Sequence, residues 1–376
     1  MFRKVTHASP TTASKRAARQ SAPTVSLTET APCEQSVRLQ VPLETMAPVR
    51  AAVLSEFQRE TSLPGFRKGK APAELVERKY AEAVHEETLH RVTQQALEQV
   101  VKEHQVKPVG PFQITASDFN ETQGLTIQAT VEVEPAFALA AYKGIPLTRP
   151  SVEVTAEEIE QSLARLQESM AQLVPVGEGA QKERHVPPLD DELAKDLGFD
   201  TLEKLREHLT AKLREQKSRA QAHALESSLC DELLQRHTFH VPARLVEHQM
   251  ERLVRDFKVR LLLSGVQEQE LEAQVAKFTE QLRTSAEQRV KLRFILERIA
   301  DQESATVTQD EVVAKLWQLA QRWKKDPAEV RKFFDAQGLW PSVVSTIQQE
   351  KTMARLMQSA QISDPAPVGG GGVNNP

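Results

Sequence analysis

The sequence predicts an α+β N-terminal domain followed by a mostly α-helical C-terminal domain. Three observations predict it. In the first 150 residues, segments with the apolar–polar alternation of strands bracket segments with helical spacing. After about residue 186, apolar residues recur every three or four positions in one run after another. Aromatics make up only 5% of the chain, and Gln, Glu, Lys, Arg, Ala and Leu dominate its second half, a composition that favours long helices.

Thr24–Thr28 and Val37–Val41 alternate as strands, with Ala31-Pro32-Cys33-Glu34 as the turn between them. A helix is predicted from about Met46 to Glu60, with Val49, Val53, Leu54 and Phe57 on its apolar face. A second runs from about Ala73 to His104, its stripe including Leu75, Val76, Tyr80, Val84, Val92 and Val100. Pro111–Phe119 and Leu125–Glu134 alternate again, and Gly124 supplies the turn. Strands, two helices and strands make a domain with helices packed on an antiparallel sheet. Thr155 and Glu158 form a capping box for a helix carrying Ile159, Leu163, Leu166, Met170 and Leu173, which Pro175 ends. Gly177–Arg184 carries no secondary-structure signal. Helices then follow over Leu202–Leu234, from Pro242 through Leu261, over Leu271–Ile295 as one helix or a pair, over Val312–Trp323, from Pro327, and after Pro341. No fixed-period repeat is present, which argues against a regular solenoid.

The expected organisation is a disordered basic extension over 1–22, an α+β domain over 23–150, a linker helix and short linker over 151–185, a helical domain over 186–362 and a disordered tail over 363–376. The first 22 residues lack an apolar core and are not a secretory signal. Basic and rich in Ser and Thr, they read as a solvated extension or as an organellar transit peptide. A net charge of -4 argues against a general nucleic-acid binder and confines any RNA contact to a local patch. Cys33 and Cys230 lie far apart and fit a reducing compartment.

Signals for catalysis are poor, and no cofactor is implied. His85 and His90 superficially resemble a zinc-protease helix, but five residues place them about 140° apart around it, whereas a shared ion needs a spacing of four. His237 and His240 read as solvated or capping residues, and Cys230 as a packed thiol. Gly177-Glu178-Gly179 precedes no phosphate-binding Lys-Ser or Lys-Thr, so coupling to ATP is unsupported.

The most informative segment is Leu63-Pro64-Gly65-Phe66-Arg67-Lys68-Gly69-Lys70-Ala71-Pro72. It has one aromatic, three cations and no acid, between glycines that permit unusual backbone and prolines that discourage helix. One reading is a solvated connection whose Phe tucks back onto its own domain. The other is an exposed docking surface with Phe66 at its tip and Arg67, Lys68 and Lys70 around it.

The run Gly65–Pro72 resembles the ribosome-docking signature of bacterial trigger factor. The resemblance extends over most of the chain, through Thr24–Thr30, Val131–Pro135, Val186–Gly198 and Val241–Val246. It implies an N-terminal ribosome-binding domain and a C-terminal domain of helical arms that cradles nascent chains. It implies a docking site at Gly65, Phe66, Arg67, Lys68, Gly69 and Lys70. The implied partners are the tunnel-exit protein and rRNA of the large ribosomal subunit, unfolded nascent polypeptides, and a second copy off the ribosome. The implied function is an ATP-independent cytoplasmic chaperone. Members of that family carry a prolyl isomerase domain after the linker helix. Here only nine residues separate Val176 from Val186, too few to fold independently, so no isomerase activity is expected. The alternative is a helical scaffold for folded partners, using the same helices away from the ribosome.

Overall fold

The computed structural model describes residues 23–175 and 182–364, in two compact units. The expected basic extension, most of the expected tail and Gly177–Gln181 lie outside the described residues. One unit runs to Phe137 and is completed by Phe239–Lys291; the other comprises Ala138–Thr238 and the chain from Leu292 onward.

In the first unit, β1 (Thr24–Ala31), β2 (Glu34–Val41), β3 (Gln113–Asn120) and β4 (Gly124–Glu132) form an antiparallel sheet in the order β1-β2-β4-β3. Alternate residues of the two central strands point inward, as the strand period requires. Val37, Leu39 and Val41 thus pack with Leu125, Ile127, Ala129 and Val131. Two helices close this face: α1 (Leu43–Glu60) contributes Met46, and α3 (Ala81–Glu103) contributes Val92, Ala96 and Val100. Arg91 on α3 ties the helices by bonding Glu56 of α1 and its own Glu87, each at 2.6 Å. That bond to Arg91 holds the Glu56 carboxyl below its ordinary range. At the turn into β4, Gly124 has φ +87°, and a Cβ there would lie 2.1 Å from the Val41 carbonyl oxygen.

The single helix expected over Ala73–His104 is two. A short α2 (Ala73–Lys79) ends at Tyr80, whose φ of -117° and ψ of 27° leave the helical range, and α3 begins at Ala81. The break serves two separate cores. Val76 is buried with Leu63 and Ala71, against Leu54, Phe57 and Tyr80, whereas the later turns of α3 pack on the sheet. No Gly or Pro marks this junction.

The second segment of this unit is a helical hairpin, α7 (Ala243–Leu263) and the part of α8 (Leu271–Gln302) up to Lys291. The Phe137 and Phe239 rings stack 4.1 Å apart and nearly parallel. The buried Glu132 carboxylate accepts the Arg244 backbone N–H at 2.7 Å, placing negative charge at the α7 N-terminus, where the helix dipole favours it.

In the second unit, α4 (Ala156–Ser169) starts with the expected capping box, Thr155 and Glu158 each accepting the other's backbone N–H. It ends before Leu173, because Gln172–Pro175 pairs instead as strand β6 with β7 (Lys182–His185), where no structure was expected. Leu163 of α4 packs with Ala194 of α5 (Asp191–Asp196) and with Leu205 and Leu209 of α6 (Leu202–Arg236). A second cluster joins α9 (Gln309–Trp323), α10 (Pro327–Gln337) and α11 (Trp340–Ser359) through Leu316, Ala320, Val330, Phe334, Val343 and Ile347. Two three-residue strands, β5 (Pro146–Thr148) and β8 (Gln361–Ser363), pair in parallel and were not foreseen. Ser363 in β8 lies one residue past the expected end of the helical part.

Candidate docking loop and exposed apolar surfaces

The loop between α1 and α2 is fixed at both ends and open in the middle. Leu63 and Ala71 are buried in the small core around Val76. Gln58 Nε2 donates to the Ala71 carbonyl at 2.6 Å, and the Thr61 backbone N–H caps α1 by donating to the Phe57 carbonyl at 3.0 Å. Two turns fold the chain between these anchors: Phe66 N–H donates to the Leu63 carbonyl and Lys70 N–H to the Arg67 carbonyl. Gly65 at φ +87° and Gly69 at φ +78° occupy the left-handed backbone these turns need.

Phe66 does not tuck back: it remains 40% exposed, and Arg67, Lys68 and Lys70 are exposed around it. Among the described residues, none of these three cations forms an ion pair. An exposed ring beside unsatisfied cations is what a binding surface leaves uncovered. The loop borders a cleft of about 320 Å³ lined by Leu63, Pro64, Phe66, Leu75, Arg78 and Lys79. The sequence places Leu75 in the buried stripe of its helix, but it is 43% exposed, and its neighbour Val76 takes the inward position.

The helices carry further apolar surface. In the hairpin of the first unit, Val259, Leu262 and Phe278 are exposed and Leu263 is 83% exposed, with Phe257 edge-on to Phe278 at 5.4 Å. In the second unit, Val313 and Trp317 lie one turn apart on α9, and Trp317 is 55% exposed. Val313 also lines a cleft of about 320 Å³ with Leu316, Trp340 and Val344. A larger groove of about 890 Å³ runs between α6 and α11, with Leu225, Leu296, Met353 and Met357 in its walls and Arg149, Glu226 and Glu350 among its polar residues. Met side chains adapt to varied apolar partners.

The other candidate residues do not converge. His85 packs edge-on to Phe119 at 4.8 Å. Among the described residues, no three His, Cys, Asp or Glu are placed to hold a metal ion. His237 is buried rather than solvated: it accepts the Ala140 N–H at Nε2, at 2.9 Å, and Nδ1 lies 2.7 Å from the Leu233 carbonyl, a capping role. Burial pushes the Cys230 thiol up to about 11, and burial with the nearby Glu132 and Glu29 also raises Cys33, so neither is a ready thiolate. No described helix is long and apolar enough to cross a membrane.

Two family models match the chain: one for bacterial trigger factor protein over residues 24–166, and one for its C-terminus over 201–358. The chain is 25% identical to trigger factor of Anaeromyxobacter sp. (strain Fw109-5) over 418 residues, covering 88% of this chain and 97% of that protein. It is 26% identical to trigger factor of Brevibacillus brevis, covering 84% of this chain and 94% of that protein. A solved structure described as "Promiscuous Substrate Recognition in Folding and Assembly Activities of the Trigger Factor Chaperone" aligns over 89% of this chain and 99% of its own, with 19% identity and a TM-score of 0.49.

Proposed function

The chain belongs to the bacterial trigger factor family of chaperones, and from that premise we propose that it docks on the large ribosomal subunit near the peptide exit tunnel and holds nascent chains there without ATP. The observation that carries this reading is the loop: Phe66 exposed at its tip, ringed by Arg67, Lys68 and Lys70 without acidic partners, and shaped by Gly65 and Gly69. A fixed ring contributes apolar burial to an interface, and the cations pair with carboxylates or phosphates of the tunnel-exit protein and rRNA. The ribosome-binding domain is the α+β part, about residues 23–150, and the client-holding domain is the helical part, about 186–362.

Holding follows from surfaces that are apolar, separate and rimmed by charge. The Leu262–Leu263 tip, the Trp317 face and the Met353 groove each offer a modest patch to an unfolded segment. Weak contacts suffice because docking raises the local concentration of clients. The proposed setting is the cytoplasm. In the test, the full chain suppresses aggregation of a chemically denatured client at near-stoichiometric ratio, equally with and without ATP. A chain that leaves aggregation unchanged, yet captures a folded partner, favours the scaffold reading.

The protein is further proposed to lack prolyl isomerase activity. The alignment to the Anaeromyxobacter relative, at 418 residues, is longer than the whole 376-residue chain, so that relative carries sequence with no counterpart here. Between the two family-model matches lie only residues 167–200. Refolding of a proline-limited substrate in its presence is expected at the uncatalysed rate, on the order of tens of seconds or slower at 25 °C. Acceleration proportional to catalytic amounts of the protein rules this out.

A further inference from the structure

We propose that the docking surface continues beyond the loop onto α2, where Leu75, Arg78 and Lys79 form with Phe66 a cleft for an aliphatic side chain of a protein partner, flanked by that partner's carboxylates. This rests on the docking reading of the loop and names a second part of the same surface.

Leu75, Arg78 and Lys79 stand at i, i+3 and i+4 and so share one face of α2. That face and the loop border the open cleft of about 320 Å³, whose apolar walls are Leu63, Pro64, Phe66 and Leu75. Phe66 and Leu75, both exposed, line it from the loop and from α2. The acid on the neighbouring turn, Glu77, is taken up by Arg50 at 2.8 Å, whereas Arg78 has no acidic partner among the described residues. Lys79 lies 5.4 Å from the Tyr80 ring centroid and makes no ion pair. Arg78 and Lys79 line the depression, the loop that borders it carries three more cations, and on the same short helix only exposed Glu74 is left to offset them.

The walls select the partner class. Three of the four apolar wall residues are non-aromatic, which suits a branched aliphatic side chain better than a stacked base, whose binding relies on aromatic platforms. The chain's net charge of -4 also argues against spreading along RNA. An acidic protein segment with one aliphatic anchor satisfies both walls and rim.

The test compares ribosome co-sedimentation of the full chain carrying Leu75→Ala, Arg78→Glu, the loop triple change at Phe66, Arg67 and Lys68, or Lys102→Glu on the far end of α3. Leu75→Ala is expected to weaken binding about fivefold and Arg78→Glu about tenfold, with unchanged circular dichroism and with Lys102→Glu binding as wild type. A photo-crosslinking side chain placed at position 75 is expected to give an adduct removed by protease and resistant to ribonuclease. If both α2 variants bind as wild type while the loop triple does not, the cleft is no part of the interface and loop docking stands. If the loop triple also binds as wild type, the docking reading falls with it. A ribonuclease-sensitive adduct, or equal loss in Lys102→Glu, overturns the protein partner.

Discussion

Replacing Phe66, Arg67 and Lys68 together by Ala is expected to weaken ribosome binding at least about tenfold and to leave the fold untouched. Covering the exposed part of the Phe66 ring is worth about 1–2 kcal/mol. Each cation at an interface rim adds about 0.2–1 kcal/mol in physiological salt. Their sum, about 1.4–4 kcal/mol, reaches or exceeds the roughly 1.4 kcal/mol that corresponds to a tenfold change in affinity. None of the three side chains enters the core that anchors the loop, which belongs to Leu63, Ala71 and Val76. Helical content therefore stays constant, and any change in sedimentation reads docking alone. Binding of the unmodified protein should also fall as salt rises, with a shallow slope set by the few cations of one local patch. Sedimentation of the triple variant indistinguishable from wild type removes the assignment.

Gly124→Ala is expected to destabilise the first unit by about 3 kcal/mol or more, through strain and collision at a turn with no room to relax. The new Cβ meets a backbone carbonyl, that of Val41, at 2.1 Å, and φ is +87°. Val41 pairs with Leu125 at the end of the β2–β4 ladder, so moving either strand disturbs the central pairing. Amide hydrogen exchange should lose protection along β2 and β4 while α9–α11 keep theirs. Gly65 is the control: it has the same φ of +87° but nothing within 4 Å of a Cβ, so Gly65→Ala should cost only about 1 kcal/mol. Wild-type protection in Gly124→Ala refutes the steric account.

Much of the fold was legible because it is written in local periods. The four sheet strands, the capping box at Thr155 and the helix starts at Pro242 and Pro327 all appear near where residue spacing places them. What escaped is non-local. The β5–β8 pair joins Leu147 to Ile362 through three residues on each side, too short for alternation to register. The break at Tyr80 arises because one apolar stripe is divided between two cores, and nothing in the stripe itself records the division. In the loop, glycines, prolines and the absence of acids predicted an exposed segment, but left open whether the Phe66 ring tucks back, which its 40% exposure decides. The α2 face was missed because spacing alone does not say whether Leu75 or Val76 turns inward.

The stacked rings of Phe137 and Phe239 carry a consequence for how this protein is itself made. Its first unit is discontinuous: a hundred residues that form part of the other unit intervene before the hairpin segment arrives. At roughly 5–20 residues per second, the chain from Phe137 to Arg244 takes about 5–20 s to synthesise. For that interval the growing polypeptide presents the bare Phe137 ring and the Glu132 carboxylate without its Arg244 partner. The inserted stretch shortens the search, since its own ends are fastened together by the Ala140–His237 bond and by Arg236 on the Ala141 carbonyl. A chain of this design is thus born in the state it is proposed to recognise in others, and its maturation is a late event gated by translation.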